Sequence, residues 1–456
     1  MTVIRIPSYT VHPEAFIFII TGPVGHLLDP RECQCEIVIS PLFLFSVTIL
    51  KDSEHVIFYT SCSYYSHIMT DPSVFELRKF VAPEIVYGDG ARFLAGRFAS
   101  IFQAEKILVV TDPGIIASGI TAEILESLDE AGIRYSVFSD IVPNPHAESV
   151  MEGARIYKDN HCTGIIAVGG GSPIDCAKGI GIVSSNNRHI LEFEGVDMVE
   201  IPAPPLICIP TTSGSSADVS QFAIISDKAR KVKIAIISKT LVPDVALIDP
   251  STLMTLGPDL TLHTVLDALT HAIEAYVSNA HSSITDIHAL EAIRLVWSYL
   301  PLVMQDPTNL EYRSYTMLAS MHAGLAFSNA SLGAVHAMAH SLGGFLDLPH
   351  GMCNAMLLPA VIRFNYQGAQ ERYDTIAKVM GIDMTGSSGE ARGKLLISTL
   401  LNFYHVIGFS SNLSEAGVKK SHLMDLADKA MTDACMVTNP RQIEREDLLS
   451  IYESAL

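Results

Sequence analysis

The chain has 456 residues, of which 48% are hydrophobic and 17% are charged, and it contains 30 glycines and 23 prolines. This composition excludes a disordered or fibrous chain and is typical of a compact α/β enzyme of two or three domains. The net charge of −19 argues against nucleic acid or an anionic membrane surface as a partner, because both would repel the protein.

The first 68 residues differ in character from the rest. They carry 9 charged residues and show neither the alternation of a strand nor the period of a helix. We expect residues 1–68 to be an atypical extension outside the native enzyme, with Met69 as its first residue. Apolar pieces near residues 16–20 and 42–50 are candidates for strands.

Regular α/β patterning begins near residue 76, where short Val- and Ile-rich runs alternate with amphipathic segments. The pattern predicts strands at 106–112, 135–138 and 164–168 and a helix at 120–131. Because such units build a parallel sheet covered by helices, we expect an α/β dinucleotide-binding domain over 69–250. Strand-like runs then vanish, which predicts an all-helical domain over 251–456.

A glycine-rich turn follows the strand predicted at 164–168. Gly169, Gly170 and Gly171 allow the backbone to approach a phosphate, and the N-terminus of the next helix attracts anions. Ser172, Pro173 and Asp175 are predicted as its N-cap, N1 residue and capping-box partner. The alternative is a tight turn without a ligand.

Two further positions fit a nucleotide. The hydroxyl-rich turn at 210–216 follows an apolar strand, although such a turn also serves simply to cap a helix. Asp112 closes an early strand, where a carboxylate accepts hydrogen bonds from ribose hydroxyls and repels a 2′-phosphate. Asp112 therefore favours NAD over NADP.

The helical half contains a pattern typical of a metal site. Asp267 and His271 are four residues apart on one helical face, His336 and His340 repeat this spacing, and His350 follows on a predicted loop. Burying so many polar groups without a common ligand would be costly. One carboxylate and three imidazoles suit Fe²⁺ or Zn²⁺, and an open position would accept an alcohol oxygen and promote hydride transfer to a nicotinamide.

Five ordered motifs together resemble the iron-dependent (group III) alcohol dehydrogenase family: GGGSPIDCAKGIG, PTTSGSSADVS, DALTHAIEAYVS, AFSNASLGAVHAMAHSLGG and PHGMCNAMLLP. The resemblance runs from about residue 75 to residue 456. The segments around residues 77–84 and FLDLPHG also resemble the ErcA-like subgroup. The resemblance implies a homodimer or higher oligomer with a Rossmann-like N-terminal domain, an all-helical C-terminal domain, and an active site between them.

Carried over by motif position, the resemblance implies a role for each of a set of residues. Asp267, His271, His336 and His350 would be the metal ligands, and His340 would lie near the nicotinamide and the substrate. The cofactor-binding residues would be Asp112, Asn144, Gly170, Gly171, Ser172, Asp175, Thr211, Thr212, Ser220 and Lys233. The implied cofactors are NAD and Fe²⁺, with Zn²⁺ as the other candidate metal.

The resulting prediction is a metal-dependent oxidoreductase that transfers hydride between NAD(H) and a small primary alcohol or aldehyde. One alternative shares the fold but acts like a glycerol dehydrogenase or a dehydroquinate synthase. Another is a regulatory protein that senses redox state during alcohol oxidation.

No apolar segment reaches the roughly 18 residues that a membrane-spanning helix requires. The chain lacks the basic start of a signal peptide, and its eight cysteines contain no CxxC pair, which predicts reduced thiols. We therefore expect a cytoplasmic protein with no membrane or nucleic-acid partner.

Overall fold

The computed structural model describes residues 77–230 and 232–456 and, before them, the backbone of four strands. These strands are β1 (Ala15–Ile19), β2 (Gln34–Ser40), β3 (Phe43–Lys51) and β4 (Val56–Tyr64). They pair antiparallel in the order β1-β4-β3-β2, within a compact unit, Met1–Glu76, that is distinct from Leu77–Leu456. The two strand candidates of the extension are confirmed, whereas Met69 lies outside the described residues.

A six-stranded parallel sheet forms the centre of the first half of the Leu77–Leu456 unit, in the order β5-β13-β10-β8-β6-β7. Its strands are β5 (Glu84–Tyr87), β6 (Lys106–Val110), β7 (Arg134–Phe138), β8 (Gly164–Gly169), β10 (Leu206–Pro210) and β13 (Val245–Ile248). Every residue of β8 and β10 is buried, since helices cover both faces of the sheet. The predicted parallel sheet is confirmed.

Strands β6, β8 and β10 are neighbours in this sheet, and their carboxyl ends meet at one edge. Asp112, the glycines at 169–171 and the turn at 210–216 follow these three strands. In open α/β sheets this edge is where ligands bind.

A smaller sheet, ordered β11-β12-β9, contains β9 (Gly195–Val196), β11 (Phe222–Asp227) and β12 (Val232–Ile237).

Five helices belong to this α/β half: α1 (Ala95–Ile101), α2 (Pro113–Ser118), α3 (Ile120–Glu130), α4 (Ala147–Asp159) and α5 (Gly171–Asn186). The described residues beyond Ile248 contain no strand, as predicted. Their α-helices are α6 (Pro258–Val277), α7 (Ser283–Gln305), α8 (Leu310–Ala330), α9 (Ala334–Leu346), α10 (His350–Asn365), α11 (Gln370–Val379), α12 (Gly389–Val406), α13 (Leu423–Met431) and α14 (Arg445–Ala455).

Helices α6, α9 and α10 contribute to one large apolar core that runs through the helical half. Helix α7 is the one described helix long and apolar enough to be a candidate membrane span. It packs against α6 and α8 and buries Ala289, Ala292, Ile293 and Val296 in the same core. Helix α7 therefore has the contacts of a core helix.

Candidate active site

Four potential metal ligands converge from three helices. Asp267 and His271 lie on α6, His336 on α9 and His350 on α10, and one ligand atom from each lies within 4.8 Å of the others. The prediction that His350 lies on a loop is wrong, because this residue begins α10. The spacing within α6 follows from helix geometry, whereas the convergence of the three helices depends on packing.

The electrostatics of this cluster favour neutral imidazoles. Burial, reinforced by the neighbouring histidines, lowers the pKa of His336 and His350 well below the usual value. Burial also lowers the pKa of His271, although Asp267 opposes this shift. A neutral imidazole has one unprotonated nitrogen, whose lone pair can bind a metal. One carboxylate with three such imidazoles fits a divalent transition metal.

Asn354 contacts three of these four ligands and was not anticipated from the sequence. Its Nδ2 lies 2.7 Å from Asp267 Oδ1, 3.0 Å from His336 Nε2 and 3.3 Å from His350 Nε2. These distances identify the ligand atoms that face a common point. Asn354 follows His350 by four residues on α10, so its helical spacing was the available signal.

Glu274 is a second residue that sequence reasoning missed. It lies on α6 and is buried, and its Oε2 is 2.5 Å from Nδ1 of His336. A carboxylate at this nitrogen leaves the opposite nitrogen, Nε2, as the atom that faces Asp267 at 3.8 Å.

His340 occupies the next turn of α9, and its ring stacks on that of His350 with centroids 5.2 Å apart. Its Nδ1 is 2.8 Å from Oδ2 of Asp433, a residue far away in sequence that was also not anticipated. Burial opposes ionisation of Asp433, but the contact with His340 and the N–H of Cys435 lower its pKa to about 2. His340 thus has a fixed carboxylate partner beside the ligand cluster.

The glycine-rich turn leads directly into α5. Gly169 has a φ of 152°, which favours glycine, and Gly170 is the N-cap without any side-chain cap. The predicted capping box is therefore wrong: α5 begins at Gly171, ahead of Ser172, and Asp175 instead accepts from the N–H of Ile224 at 3.2 Å. An uncapped N-terminus preceded by glycines leaves N–H groups for a phosphate.

The turn after β10 packs against these glycines. A β-carbon on Gly170 would lie 3.1 Å from Cγ2 of Thr212, and one on Gly171 would lie 2.9 Å from the side chain of Ser215. Thr211 is buried, and its Oγ1 has no hydrogen-bond partner among the described residues. The glycines thus allow the two turns to pack directly against each other, which brings the backbone at the start of α5 close to the hydroxyl groups that follow β10.

Asn144 links this turn to the helical half. Its N–H donates to Ser172 Oγ at 3.1 Å, its Nδ2 donates to Asp347 Oδ1 at 2.9 Å, and its Oδ1 accepts from Lys233 Nζ at 2.8 Å. Burial lowers the pKa of Lys233. The structure thus brings Asn144, Ser172 and Lys233 together at the end of α9.

Three predicted cofactor residues have structural partners of their own. Asp112 caps α2 by accepting from the N–H groups of Gly114 and Ile115 at 2.8 and 3.0 Å. Ser220 accepts from the fully buried Lys178 through its carbonyl, at 2.7 Å, and its hydroxyl, at 3.3 Å. Burial raises the pKa of Asp175 to about 7.

Two family models match most of the chain. The model described as iron-containing alcohol dehydrogenase matches residues 82–250, and the model described as the C-terminal part of the Fe-containing alcohol dehydrogenase family matches residues 261–456. The NAD-dependent methanol dehydrogenase of Bacillus methanolicus is 36% identical over 377 residues, covering 83% of this chain and 99% of that protein. The 1,3-propanediol dehydrogenase of Klebsiella pneumoniae is 35% identical over 379 residues, covering 82% and 98%.

Solved structures agree with these matches. A 1,3-propanediol oxidoreductase superposes with a TM-score of 0.81 at 35% identity, covering 84% of this chain and 100% of the other. An alcohol dehydrogenase from Oenococcus oeni gives a TM-score of 0.81 at 33% identity, covering 83% and 100%. The ErcA-like subgroup stays a prediction. The chain therefore belongs to the iron-containing alcohol dehydrogenase family, as an oxidoreductase of small alcohols and aldehydes with Fe²⁺ and NAD as its cofactors.

Proposed function

We propose that this enzyme transfers hydride between NAD(H) and a short primary alcohol or its aldehyde, in a cleft between the sheet edge and α9. The observation that carries the proposal is the contact of Asn144 with both Ser172 and Asp347, which joins the glycine-rich turn to the end of the helix bearing His336 and His340. Relatives named for methanol, 1,3-propanediol and lactaldehyde support short substrates with a primary alcohol or aldehyde group.

Asp267, His271, His336 and His350 are the proposed ligands of a single divalent metal ion, which the structure supports through their convergence within 4.8 Å. When bound, the metal supplies Lewis acidity for an alcohol oxygen and NAD⁺ supplies the hydride acceptor. The ligands' neutral imidazoles and single carboxylate would leave a net positive site, which favours binding of an oxygen with a lone pair.

His340 is the proposed proton carrier. Asp433 occupies its Nδ1, which leaves Nε2 as the nitrogen that exchanges a proton with the alcohol or with water. The carboxylate also orients the ring, because a hydrogen bond at one imidazole nitrogen determines the form of the other.

The proposed cofactor contacts divide between two parts of NAD. Gly170, Gly171 and Ser172 hold the pyrophosphate at the start of α5, opposite Thr211 and Thr212. For Asp112 the free carboxylate oxygen would accept from the adenosine ribose, since one oxygen already caps α2.

Asn144 and Lys233 are proposed to contact the cofactor from the side of the helical half, where each already bonds the other. Asp175 and Ser220 are proposed to support the site through other residues. Asp175 accepts from the N–H of Ile224 in β11, and Ser220 accepts from the buried Lys178.

The arrangement of the chain is proposed to follow the family. The two family matches meet between residues 250 and 261, which supports domains over 69–250 and 251–456. We also propose a homodimer or higher homo-oligomer in the cytoplasm. The five described cysteines, all buried and free, support a reducing compartment.

Steady-state NADH formation over a panel of C2 to C6 primary alcohols, with glycerol included, tests the proposed reaction. The full chain is stripped of metal and then reloaded with Fe²⁺ or Zn²⁺ before each assay. We expect turnover only after reloading, with short primary alcohols preferred over glycerol. Equal turnover by the stripped enzyme, or a clear preference for glycerol, would overturn this proposal.

A further inference from the structure

Glu274 is a buried carboxylate beside the proposed ligands, and the reaction described above gives it no task. It lies on α6, seven residues after Asp267, and only 4% of its surface is exposed. Its two oxygens accept from the N–H of Val335 at 2.7 Å and the N–H of His336 at 3.3 Å, and Oε2 also lies 2.5 Å from Nδ1 of His336. A buried carboxylate with this many partners is specifically placed.

These contacts replace a missing cap at the start of α9. The N-cap residue of this helix is Gly333, which has no side chain to accept from the first N–H groups. Asn439 Oδ1 accepts from the N–H of Ala334 at 3.2 Å, and Glu274 accepts from the next two N–H groups, those of Val335 and His336. Glu274 therefore ties α9 to α6, the two helices that carry three of the four proposed ligands.

The contact with the imidazole has a separate consequence. Neutral histidine carries one proton, on either Nδ1 or Nε2, and only the unprotonated nitrogen can bind a metal. The amide nitrogen Nδ2 of Asn354 can only donate, so Nε2 of His336, 3.0 Å away, keeps its lone pair and Nδ1 carries the proton that Glu274 accepts. Nε2 is also the atom that faces Asp267 Oδ1 at 3.8 Å and Asn354 Nδ2 at 3.0 Å.

We propose that Glu274 is a positioning residue for the metal, which holds His336 in the form that presents Nε2 as a ligand. The proposal rests on the proposed role of His336 as a ligand. Partners of this kind at the far nitrogen of a ligand imidazole typically change metal affinity 10–100-fold when they are removed.

The Glu274→Gln variant has the same shape as the native side chain but replaces one acceptor oxygen with a donor amide. That amide must face either His336 or Val335. Toward His336 it donates to Nδ1 and moves the imidazole proton to Nε2, and toward Val335 it opposes an N–H group at the start of α9. The first arrangement removes the lone pair of Nε2, and the second leaves the N–H of Val335 without its acceptor and displaces the start of the helix that carries His336. Asn439→Ala is the matched control, because it removes a cap of α9 without touching the imidazole.

The assay is a competition titration of the metal-stripped full chain with Zn²⁺ and a chelator. We expect Glu274→Gln to bind Zn²⁺ about 10–100-fold more weakly than the native protein. Asn439→Ala should lower the melting temperature and leave Zn²⁺ affinity within about threefold. Native affinity in Glu274→Gln, or an equal loss in the control, would overturn the proposal.

Two further measurements separate the possible failures. In His336→Ala, retention of Zn²⁺ would overturn the ligand assignment itself, whereas loss of Zn²⁺ there with native affinity in Glu274→Gln would overturn only the role of Glu274. If Glu274→Gln does not fold, nitrogen NMR of histidine-labelled, metal-stripped native protein decides the question. The signal of His336 is assigned because it is missing from the spectrum of His336→Ala. In the native protein this imidazole should carry its proton on Nδ1, and a proton on Nε2 would overturn the proposal.

Discussion

Gly351 controls how closely two of the ligand-bearing helices approach each other. It is buried in the first turn of α10, next to His350, and faces the backbone of α6 at His263. A β-carbon added there would lie 2.8 Å from the carbonyl carbon of His263, nearer still to its oxygen, and 3.1 Å from Cβ of Asp267. Gly351→Ala should therefore push α10 away from the helix that carries Asp267 and His271.

The structure gives the size of this displacement. Ordinary contact of a β-carbon begins at 3.4 Å, so the carbonyl carbon alone requires a shift of at least 0.6 Å. Metal sites tolerate deviations of about 0.2 Å in ligand distance. We expect Gly351→Ala to weaken metal binding by at least about tenfold, in addition to an overpacking cost of about 1–3 kcal/mol in the free energy of unfolding.

Gly96 provides a matched control in the α/β half. A β-carbon there would lie 2.8 Å from the carbonyl carbon of Ser127, with the oxygen nearer still, in the contact between α1 and α3. Gly96→Ala therefore creates the same backbone clash away from the proposed ligands. Both variants should unfold at a lower temperature, by roughly 2–12 °C.

The assay measures bound iron by elemental analysis after a timed chelator challenge, alongside the melting temperature of the stripped protein. If the two variants show the same decrease in melting temperature, Gly351→Ala should still lose its iron faster than Gly96→Ala. Equal iron retention in the two variants would refute the argument that Gly351 sets the separation of the ligand helices.

The remaining predictions concern single side chains. His271→Ala and His350→Ala should each abolish metal retention and turnover while the fold persists. Full activity of either variant would contradict the proposed metal site. His340→Ala should keep the metal but turn over more slowly with an altered pH profile, and loss of metal there would mean that its role is exchanged with a neighbour's. Asp112→Gly should relax the preference for NAD toward NADP, measured as the ratio of kcat/KM values, and an unchanged ratio would contradict the placement. Burial and a neighbouring imidazole lower the pKa of His322 to about 4, below its ordinary 6.5, so the unfolded chain takes up this proton first as the pH falls. The protein should therefore lose up to about 3 kcal/mol between pH 6.5 and pH 4, and chemical denaturation of His322→Leu should show a shallower acid slope.

The amino-acid sequence predicts the geometry correctly where a single helix or turn determines it. The spacing of Asp267 and His271 places both on one face of α6 because an α-helix repeats every 3.6 residues. The glycines at 169–171 predicted a turn at the carboxyl end of β8, because few other residues adopt the backbone conformation that Gly169 has, with a φ of 152°. The prediction of a capping box at Ser172 is wrong because the N-cap of α5 is Gly170, which has no side chain to accept from the first N–H groups.

Only the tertiary structure revealed the partners that give these residues their chemistry. Asp433 is 93 residues from His340, and Asp347 is 203 residues from Asn144, so no local period relates them. The amino-acid sequence by itself determined which side chains could bind a metal or a phosphate, since these properties depend on residue type and on spacing within one helix or turn. The packing of α6 against α9 decided which nitrogen of His336 faces the ligand cluster, because the contact of its Nδ1 with Glu274 exists only once the two helices meet.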